Sequence, residues 1–264
     1  MLLPRSAAAV PLVVLASSPS TNDALRALAD DAPEFTVVAT GDQTAGRGRL
    51  GREWVAPAGQ TIAASALLRP RLHGGEPLEL THWGWIPLMA GVAVARAVAA
   101  VIPSGVAGLK WPNDVQVRGR KVSGILAELL PSGDGLVLGV GINLEIPADA
   151  LPTPTSTSLA LEGAPLSGDA LADAVLSGWL TEFRALYEEF LRVGGDAEGS
   201  GVRDQVAELC TTLGQRVRVT LPGGGVLTGA AIDLDRAGRL VIRSESDGTE
   251  QAVAAGDVTH LRYE

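Results

Sequence analysis

Two stretches of the chain concentrate residue types that handle anions. The first is Gly41-Asp42-Gln43-Thr44-Ala45-Gly46-Arg47-Gly48-Arg49-Leu50-Gly51-Arg52-Glu53-Trp54, with four glycines and three arginines. Glycine lets backbone N–H groups come close to a ligand, and arginine presents a planar fork of donors that matches phosphate or carboxylate. A loop that is both flexible and cationic suits an anion that is enclosed and later released. Composition alone fits a solvated surface loop equally well. The second stretch is Lys110-Trp111-Pro112-Asn113-Asp114-Val115, followed by Lys121-Val122-Ser123-Gly124-Ile125-Leu126. Of 21 basic residues only Lys110 and Lys121 are lysines, which leaves 19 arginines. Lysine is a compact, mobile point charge. Two ammonium groups on adjacent strands could grip a phosphate and a carboxylate together.

These residues need a frame. Residues 35–40 and 61–68 are apolar runs that read as strands on either side of the first stretch. Residues 12–15 read as a first strand after a disordered start, because Pro4, Arg5 and Pro11 interrupt the apolar run 1–15. The same interruptions argue against a secretory signal. Ser20-Thr21-Asn22-Asp23 before 24–29 is a helix start, with a hydroxyl or Asx cap, an early acid and apolar spacing of three to four. Residues 80–102 read as a buried amphipathic helix, since Pro87, Arg96 and the Ala/Gly content argue against a membrane span. Residues 108–117 and 121–130 read as two strands joined by Arg118-Gly119-Arg120, with Pro112-Asn113-Asp114 as a bulge or bend in the first. The run 135–145 is a further strand, apolar until Asn143, and Gly139 and Gly141 leave room for something to lie against its backbone. Asn143 either satisfies buried backbone or faces a ligand.

A Pro/Thr/Ser-rich connection, 148–163, leads to a helix capped by Ser167, whose Leu171, Val175, Trp179, Phe183, Leu186, Tyr187 and Phe190 share one apolar face. That stripe reads as core. After a break at 194–201 and a short helix to Leu213, the texture changes. Runs 216–221, 226–233, 240–244 and 249–253 alternate, with turns at Gly223-Gly224-Gly225, Arg236-Ala237-Gly238 and Asp247-Gly248. This predicts a small β-barrel that must dock on the main domain.

With 264 residues, the chain can bury one large core and a small one. A net charge of −9 and a pI of about 4.9 argue against general nucleic-acid affinity. The single cysteine, Cys210, excludes an internal disulfide and fits a reducing cytoplasm. It has no neighbouring His or Cys and reads as a small apolar residue near a domain junction. His73 and His82 have no partners at metal-site spacing.

Ser20-Thr21-Asn22, GRGRLGREW (46–54), KWPNDV (110–115), KVSGILAE (121–128) and GVGINLE (139–145) stand in an order that resembles the biotin protein ligase family. The resemblance runs from about Val13 to the C-terminus. It implies an α+β fold: a central mixed β-sheet with flanking helices, similar to class II aminoacyl-tRNA synthetases, as domain 1–211. A C-terminal SH3-like β-barrel, 212–264, completes it. The implied activity is ATP-dependent biotinylation of a carrier-domain lysine through enzyme-bound biotinyl-5′-AMP. By matching position, Ser20, Thr21, Asn22, Gln43, Arg47, Gly48, Arg49 and Lys121 would contact biotin or its carboxylate. Gly124 and Gly141 would allow close backbone approach. Lys110, Asn113, Asp114 and Asn143, with Arg47 and Arg49, would serve the nucleotide or the reacting phosphate, and Trp54 would order the loop around the adenylate. Lys110, Lys121 and Arg47 are the expected catalytic residues. Asp114 could help hold a magnesium ion.

The expected partner is a biotin carboxyl carrier domain of a biotin-dependent carboxylase. About twenty residues precede the Ser-Thr-Asn triplet, so we expect no DNA-binding repressor domain, no sequence-specific DNA and no membrane. A cytoplasmic monomer or weak homodimer is the expected form. We also expect the arginine loop to be mobile without ligand, given its glycines and mutually repelling charges. An ATP-dependent lipoate ligase shares the anion logic, and only the KWPND and GRGRLG stretches argue for biotin. A non-catalytic binding module is the other reading left open.

Overall fold

The computed structural model describes residues 1–55, 57–221, 224–254 and 257–260. Of the sequence-predicted turns, the one at Gly223-Gly224-Gly225 begins outside the described residues. Among the described residues, a seven-stranded mixed sheet runs in the order β1-β2-β5-β9-β8-β7-β6. Its strands are β1 (Leu12–Leu15), β2 (Val37–Thr40), β5 (Thr61–Leu68), β6 (Gly108–Lys110), β7 (Asp114–Val117), β8 (Arg120–Leu129) and β9 (Leu136–Asn143). β1 and β2 are parallel, and the remaining neighbours are antiparallel. The short strands β3 (Gly46–Arg47) and β4 (Glu53–Trp54) form a separate hairpin within the arginine loop.

Two long helices cover one face. α3 (Trp85–Val101) packs against β6, β7 and β8, while α4 (Gly168–Arg192) packs on α3 and β5. α4 contributes Trp179, Phe183, Tyr187 and Phe190 to the core, as its spacing predicts. The short helix α2 (Thr21–Leu28) sits on the opposite face, where Leu25, Ala29, Val38, Leu67, Leu130 and Val137 form a second small core. Strand alternation makes this division possible. In β5, Ala64, Ala66 and Leu68 enter the main core while Ser65 and Leu67 face α2.

The structure corrects several sequence expectations. The start of the chain is a helix, α1 (Pro4–Ala9), not disordered. Buried Asp173 of α4 caps it, accepting from Arg5 N and Ser6 N at 2.9 Å and from Ser6 Oγ at 2.8 Å. This partner lies more than 160 positions away, beyond the reach of any local pattern. Residues 80–82 are a 3₁₀ turn before α3, and α3 is buried on nearly every side rather than amphipathic. The short helix after the 194–201 break is α5 (Val202–Leu209), and Cys210 then bridges Leu109 at the junction, as expected for it. The largest revision concerns Trp111-Pro112-Asn113. The bulge or bend expected within one strand at Pro112-Asn113-Asp114 is a tight reversal between two paired strands, and it sets Lys110 opposite Asp114.

Among the described residues, the C-terminal unit is a five-stranded antiparallel sheet, β13-β12-β11-β10-β14. It comprises β10 (Arg216–Thr220), β11 (Val226–Leu234), β12 (Leu240–Ser244), β13 (Glu250–Val253) and β14 (Asp257–His260). β14 is one strand more than alternation suggested. The β11–β12 turn docks against the start of α3 and the reversal between β6 and β7. Trp85 Nε1 donates to Arg236 O at 2.8 Å and Trp111 Nε1 to Gly238 O at 3.2 Å, while Trp111 N donates to Thr212 Oγ1 at 3.0 Å. These acceptors satisfy two indole N–H groups that burial takes away from water.

The α1 cap yields a stability prediction. Asp173→Ala leaves two helix-start N–H groups and the Ser6 hydroxyl without their acceptor, so we expect a loss of about 1–3 kcal/mol in urea unfolding. An unchanged midpoint would show that α1 contributes nothing to the fold.

Candidate functional site

The site is built on the face of β8 and β9 that turns away from the main core. Leu136, Leu138, Val140 and Ile142 of β9 point into that core, so Val137, Gly139, Gly141 and Asn143 lie on the other face. Register sets Gly124 opposite Gly141 and Leu126 opposite Gly139. The glycines leave the backbone bare, and two side chains lie directly against it. A Cβ at Gly139 would collide with Asn22 Oδ1, and one at Gly141 would lie 2.5 Å from Trp54 Cε2. A Cβ at Gly124 would meet Trp54 Cζ3 and Lys121 Nζ, each at 3.1 Å. The room that Gly139 and Gly141 promise from sequence is thus filled, in this structure, by Asn22 and Trp54.

The cationic end of the site hangs on the β6–β7–β8 ladder. Lys121 Nζ lies 2.6 Å from Asp114 Oδ1 and 5.6 Å from the Trp54 ring centroid, within cation–π range. Asn113 ties the reversal to β8: its Nδ2 donates to Ile125 O at 2.9 Å, while Ile125 N donates back to Asn113 O at 2.9 Å. Arg49 Nη1 reaches Asn113 Oδ1 at 3.3 Å. The Thr/Ser-rich connection lies alongside β8, with Lys121 N donating to Thr155 O at 2.7 Å and Thr157 N donating to Lys121 O at 2.8 Å. Asn143 Nδ2 donates to Thr157 O at 2.9 Å. Asn143 Oδ1 and Trp54 Nε1 are buried without a partner among the described residues. An orphan acceptor and an orphan donor in one cavity are costly until a ligand satisfies them.

The third wall is the N-terminus of α2 with the arginine loop. Ser20 is the cap, its Oγ accepting from Asp23 N at 3.3 Å. Thr21 N and Oγ1 donate to Gln43 Oε1 at 2.9 and 3.2 Å. Arg47 grips Asp23 through both terminal nitrogens, with Nη2 to Oδ1 at 2.8 Å, and approaches Glu128 at 3.2 Å. The Arg47 hydrogen bond holds the Asp23 carboxyl below its ordinary value, and the Asp23 bond pushes Arg47 up. The mutual repulsion expected among the loop arginines is therefore offset by carboxylates from α2 and β8.

All the residues assigned from the sequence, from Ser20 to Asn143, line one cavity of about 350 Å³. Sequence reasoning missed Thr153, Thr155 and Ser156 from the connection and Val258 from β14, which line the same cavity. The hydroxyl-rich composition of 153–158 was a usable signal for the first group. Val258 had none, because its place is decided by how the two sheets dock. No group of three or more His, Cys, Asp or Glu side chains able to hold a metal occurs among the described residues. Asp114 is half committed to Lys121, so the donor set fits a magnesium ion carried mainly by nucleotide phosphates, which needs only one or two protein carboxylates.

Comparison with known proteins follows the same division of the chain. Residues 14–144 match the biotin/lipoate A/B protein ligase family, and residues 212–261 match the biotin protein ligase C-terminal domain. A biotin–[acetyl-CoA-carboxylase] ligase of Mycobacterium tuberculosis is 38% identical over 95% of this chain and 89% of its own length. The biotin protein ligase of Aquifex aeolicus, solved with biotin and ATP, superposes with a TM-score of 0.72 at 26% identity, covering 96% of this chain and 99% of its own. The Leishmania major enzyme, solved with biotinyl-5-AMP, gives 0.58 at 25% identity, covering 92% and 98%.

Two predictions follow from the geometry. Gly141→Ala places a methyl group in the Trp54 indole, so we expect the Trp54 indole N–H resonance to shift while the melting temperature falls only a few degrees. An unmoved resonance would show that the indole does not rest there. The second concerns pH. Because the Arg47 guanidinium holds the folded Asp23 carboxyl below its ordinary value, the pair should survive acidification past the point where an ordinary carboxyl titrates, and the stability it contributes should be lost only as pH falls through the depressed folded value. Carboxyl titration by NMR checks this, and an ordinary or raised midpoint would contradict it.

Proposed function

We infer the activity from one premise: the chain belongs to the biotin protein ligase family, and it is a biotin ligase. On that basis we propose that it activates biotin with ATP and passes the biotinyl group to one lysine of a biotin carboxyl carrier domain. The observation that supports this best is the convergence of the chain's two lysines, its arginine loop and the α2 cap on one cavity.

A carboxylate acylates poorly because its leaving group would be oxide. In the proposed first step a biotin carboxylate oxygen attacks the α-phosphorus of ATP. The bond to the bridging oxygen breaks, and pyrophosphate leaves with that electron pair. The product is biotinyl-5′-AMP, a mixed anhydride. In the second step the carrier lysine, as a neutral amine, attacks the carbonyl carbon, loses a proton, and AMP departs. No protein nucleophile is needed.

The protein must hold two anions together and stabilise charge growing on the α-phosphate. We assign Lys121 to the biotin carboxylate and Lys110, across the hairpin from Asp114, to the phosphoryl group. Arg47 and Arg49 serve both anions. Asn22, Ser20 and Thr21 face the ureido ring. Asn113, Asp114 and Asn143 serve the nucleotide, and the unpaired Asn143 Oδ1 offers an acceptor there. Trp54 orders around the adenylate, which requires it to adjust its seat on Gly124 and Gly141. Magnesium, carried in on the nucleotide, would supply charge neutralisation beside Asp114. We place the domain boundary at 211/212, where the second family match begins and Thr212 bonds Trp111. A cytoplasmic monomer or weak homodimer completes the proposal.

The test is ATP–pyrophosphate exchange with biotin, lipoate or octanoate as the only acid. We expect exchange with biotin alone. Exchange with lipoate instead would move the substrate, and none with any acid would overturn the reading. Lys121→Ala should weaken biotin binding and slow exchange by a factor on the order of 100, as expected for loss of a charge-assisted contact. Normal affinity and rate in that variant would remove Lys121 from its role.

A further inference from the structure

The hydrogen bonds around Asn22 close into a ring that begins and ends on the arginine loop. Gln43 Oε1 accepts from Thr21 Oγ1 at 3.2 Å. The Ser65 hydroxyl is shared between Thr21 Oγ1, at 2.7 Å, and Asn22 Oδ1, at 2.6 Å. Asn22 Nδ2 donates to Glu128 Oε2 at 2.6 Å and leans toward Leu126 O at 3.4 Å. Glu128 accepts from Arg47 Nη2, at 3.2 and 3.3 Å to its two oxygens. Arg47 in turn grips Asp23, beside Asn22 on α2. The ring therefore crosses the loop, the start of α2, the middle of β5 and the outer part of β8.

Three of its members, Asp23, Ser65 and Glu128, do not line the cavity, and Ser65 and Glu128 are the two that bond the Asn22 amide. Ser65 is fully buried on a strand of apolar neighbours, where a hydroxyl is unfavourable unless bonded. Its role is legible from chemistry. A primary amide can flip, exchanging its donor and acceptor ends, unless its neighbours forbid it. Here the Ser65 hydroxyl, its one proton shared with Thr21 Oγ1, donates to Oδ1, and the Glu128 carboxylate accepts from Nδ2; the carboxylate sets the polarity and the hydroxyl supports it. A carboxylate accepts only, so it admits Nδ2 and rejects Oδ1. The second lone pair of Asn22 Oδ1 remains for a ligand.

We propose that Ser65 and Glu128 are positioning residues that fix the polarity of the Asn22 amide, and that Glu128 couples this setting to Arg47 and the closure of the arginine loop. The proposal rests on the biotin reading for the ligand it names, a cyclic urea whose N–H meets Asn22 Oδ1. The polarity of the amide itself stands apart from that reading. Neither side chain is assigned a role by any motif. Ser65 is reached through β5 and Glu128 through the pleat of β8, each on the cavity side of its strand but one step removed from the cavity.

The experiment compares Ser65→Ala, Glu128→Gln and the double variant in the full chain, measuring affinity for biotin and, separately, for ATP. Both changes keep volume close to that of the wild type, and Glu128 is partly exposed. We expect each single variant to weaken biotin about tenfold; ATP affinity stays within about twofold in Ser65→Ala and falls less than biotin affinity in Glu128→Gln, whose side chain also bonds Arg47. The double variant should lose less than the product of the two, because both act through one amide. Unchanged biotin affinity in either single variant would overturn the proposal, as would an equal loss for both ligands, which general destabilisation produces. If the wild-type protein fails to bind biotin, the biotin reading fails, and the exchange rate of the Asn22 side-chain amide protons decides the polarity. Slow exchange in the wild type that quickens in both variants supports it, and no change overturns it.

Discussion

The site depends on what is missing from one face of the sheet. At positions 124, 139 and 141 the cavity side of β8 and β9 carries no side chain, so the backbone itself is the floor. Flat groups can then approach it directly, which a single methyl group would prevent. In this structure those groups are the Asn22 amide and the Trp54 indole. Their positions place the remaining groups: Lys121 lies over the Trp54 ring, and the arginine loop between Gln43 and Trp54 is anchored at both ends, at one by Thr21 and at the other by the glycine floor. The main core supports this floor from behind, with Leu138, Val140 and Ile142 held against the long helices.

A second constraint is electrostatic. Cations gathered to receive anions repel one another before the anions arrive. The structure separates them by interleaving carboxylates: Asp114 beside Lys121, and Asp23 and Glu128 around Arg47. These pairs are partly exposed, so their net contribution to stability is small. Their effect is on position. Each holds a long, mobile cationic side chain near the place where an incoming carboxylate or phosphate would compete for it. An overall charge of −9 then sits alongside a locally cationic cavity without contradiction.

Much of this is legible in the sequence. Strand patterns at 61–68 and 135–145, the α2 cap and the aromatic stripe of α4 follow from period and capping chemistry, which act locally. The site residues were legible because unusual types stand together: glycine with arginine, or the only lysines of the chain. What was not legible depended on distant partners. The Trp111-Pro112-Asn113 reversal looked like a bulge because its outcome rests on β6 pairing with β7 rather than running on into it. Asp173 capping α1, Glu128 holding Arg47 and Val258 entering the cavity all join positions far apart in sequence. In the sequence Ser65 is one position of an apolar strand, and only the face it turns toward α2 reveals its bonds.

We propose that the cavity forms a biotinyl adenylate and keeps it until an amine arrives. The most direct test is to mix the protein with biotin and ATP in the absence of any acceptor, separate it rapidly from small molecules, and examine the bound fraction by mass spectrometry. We expect close to one equivalent of biotinyl-5′-AMP on the protein, and, on adding a carrier domain, its conversion to biotinylated carrier and AMP. Recovery of unreacted biotin and ATP alone, or carrier modification with release of ADP, would contradict it.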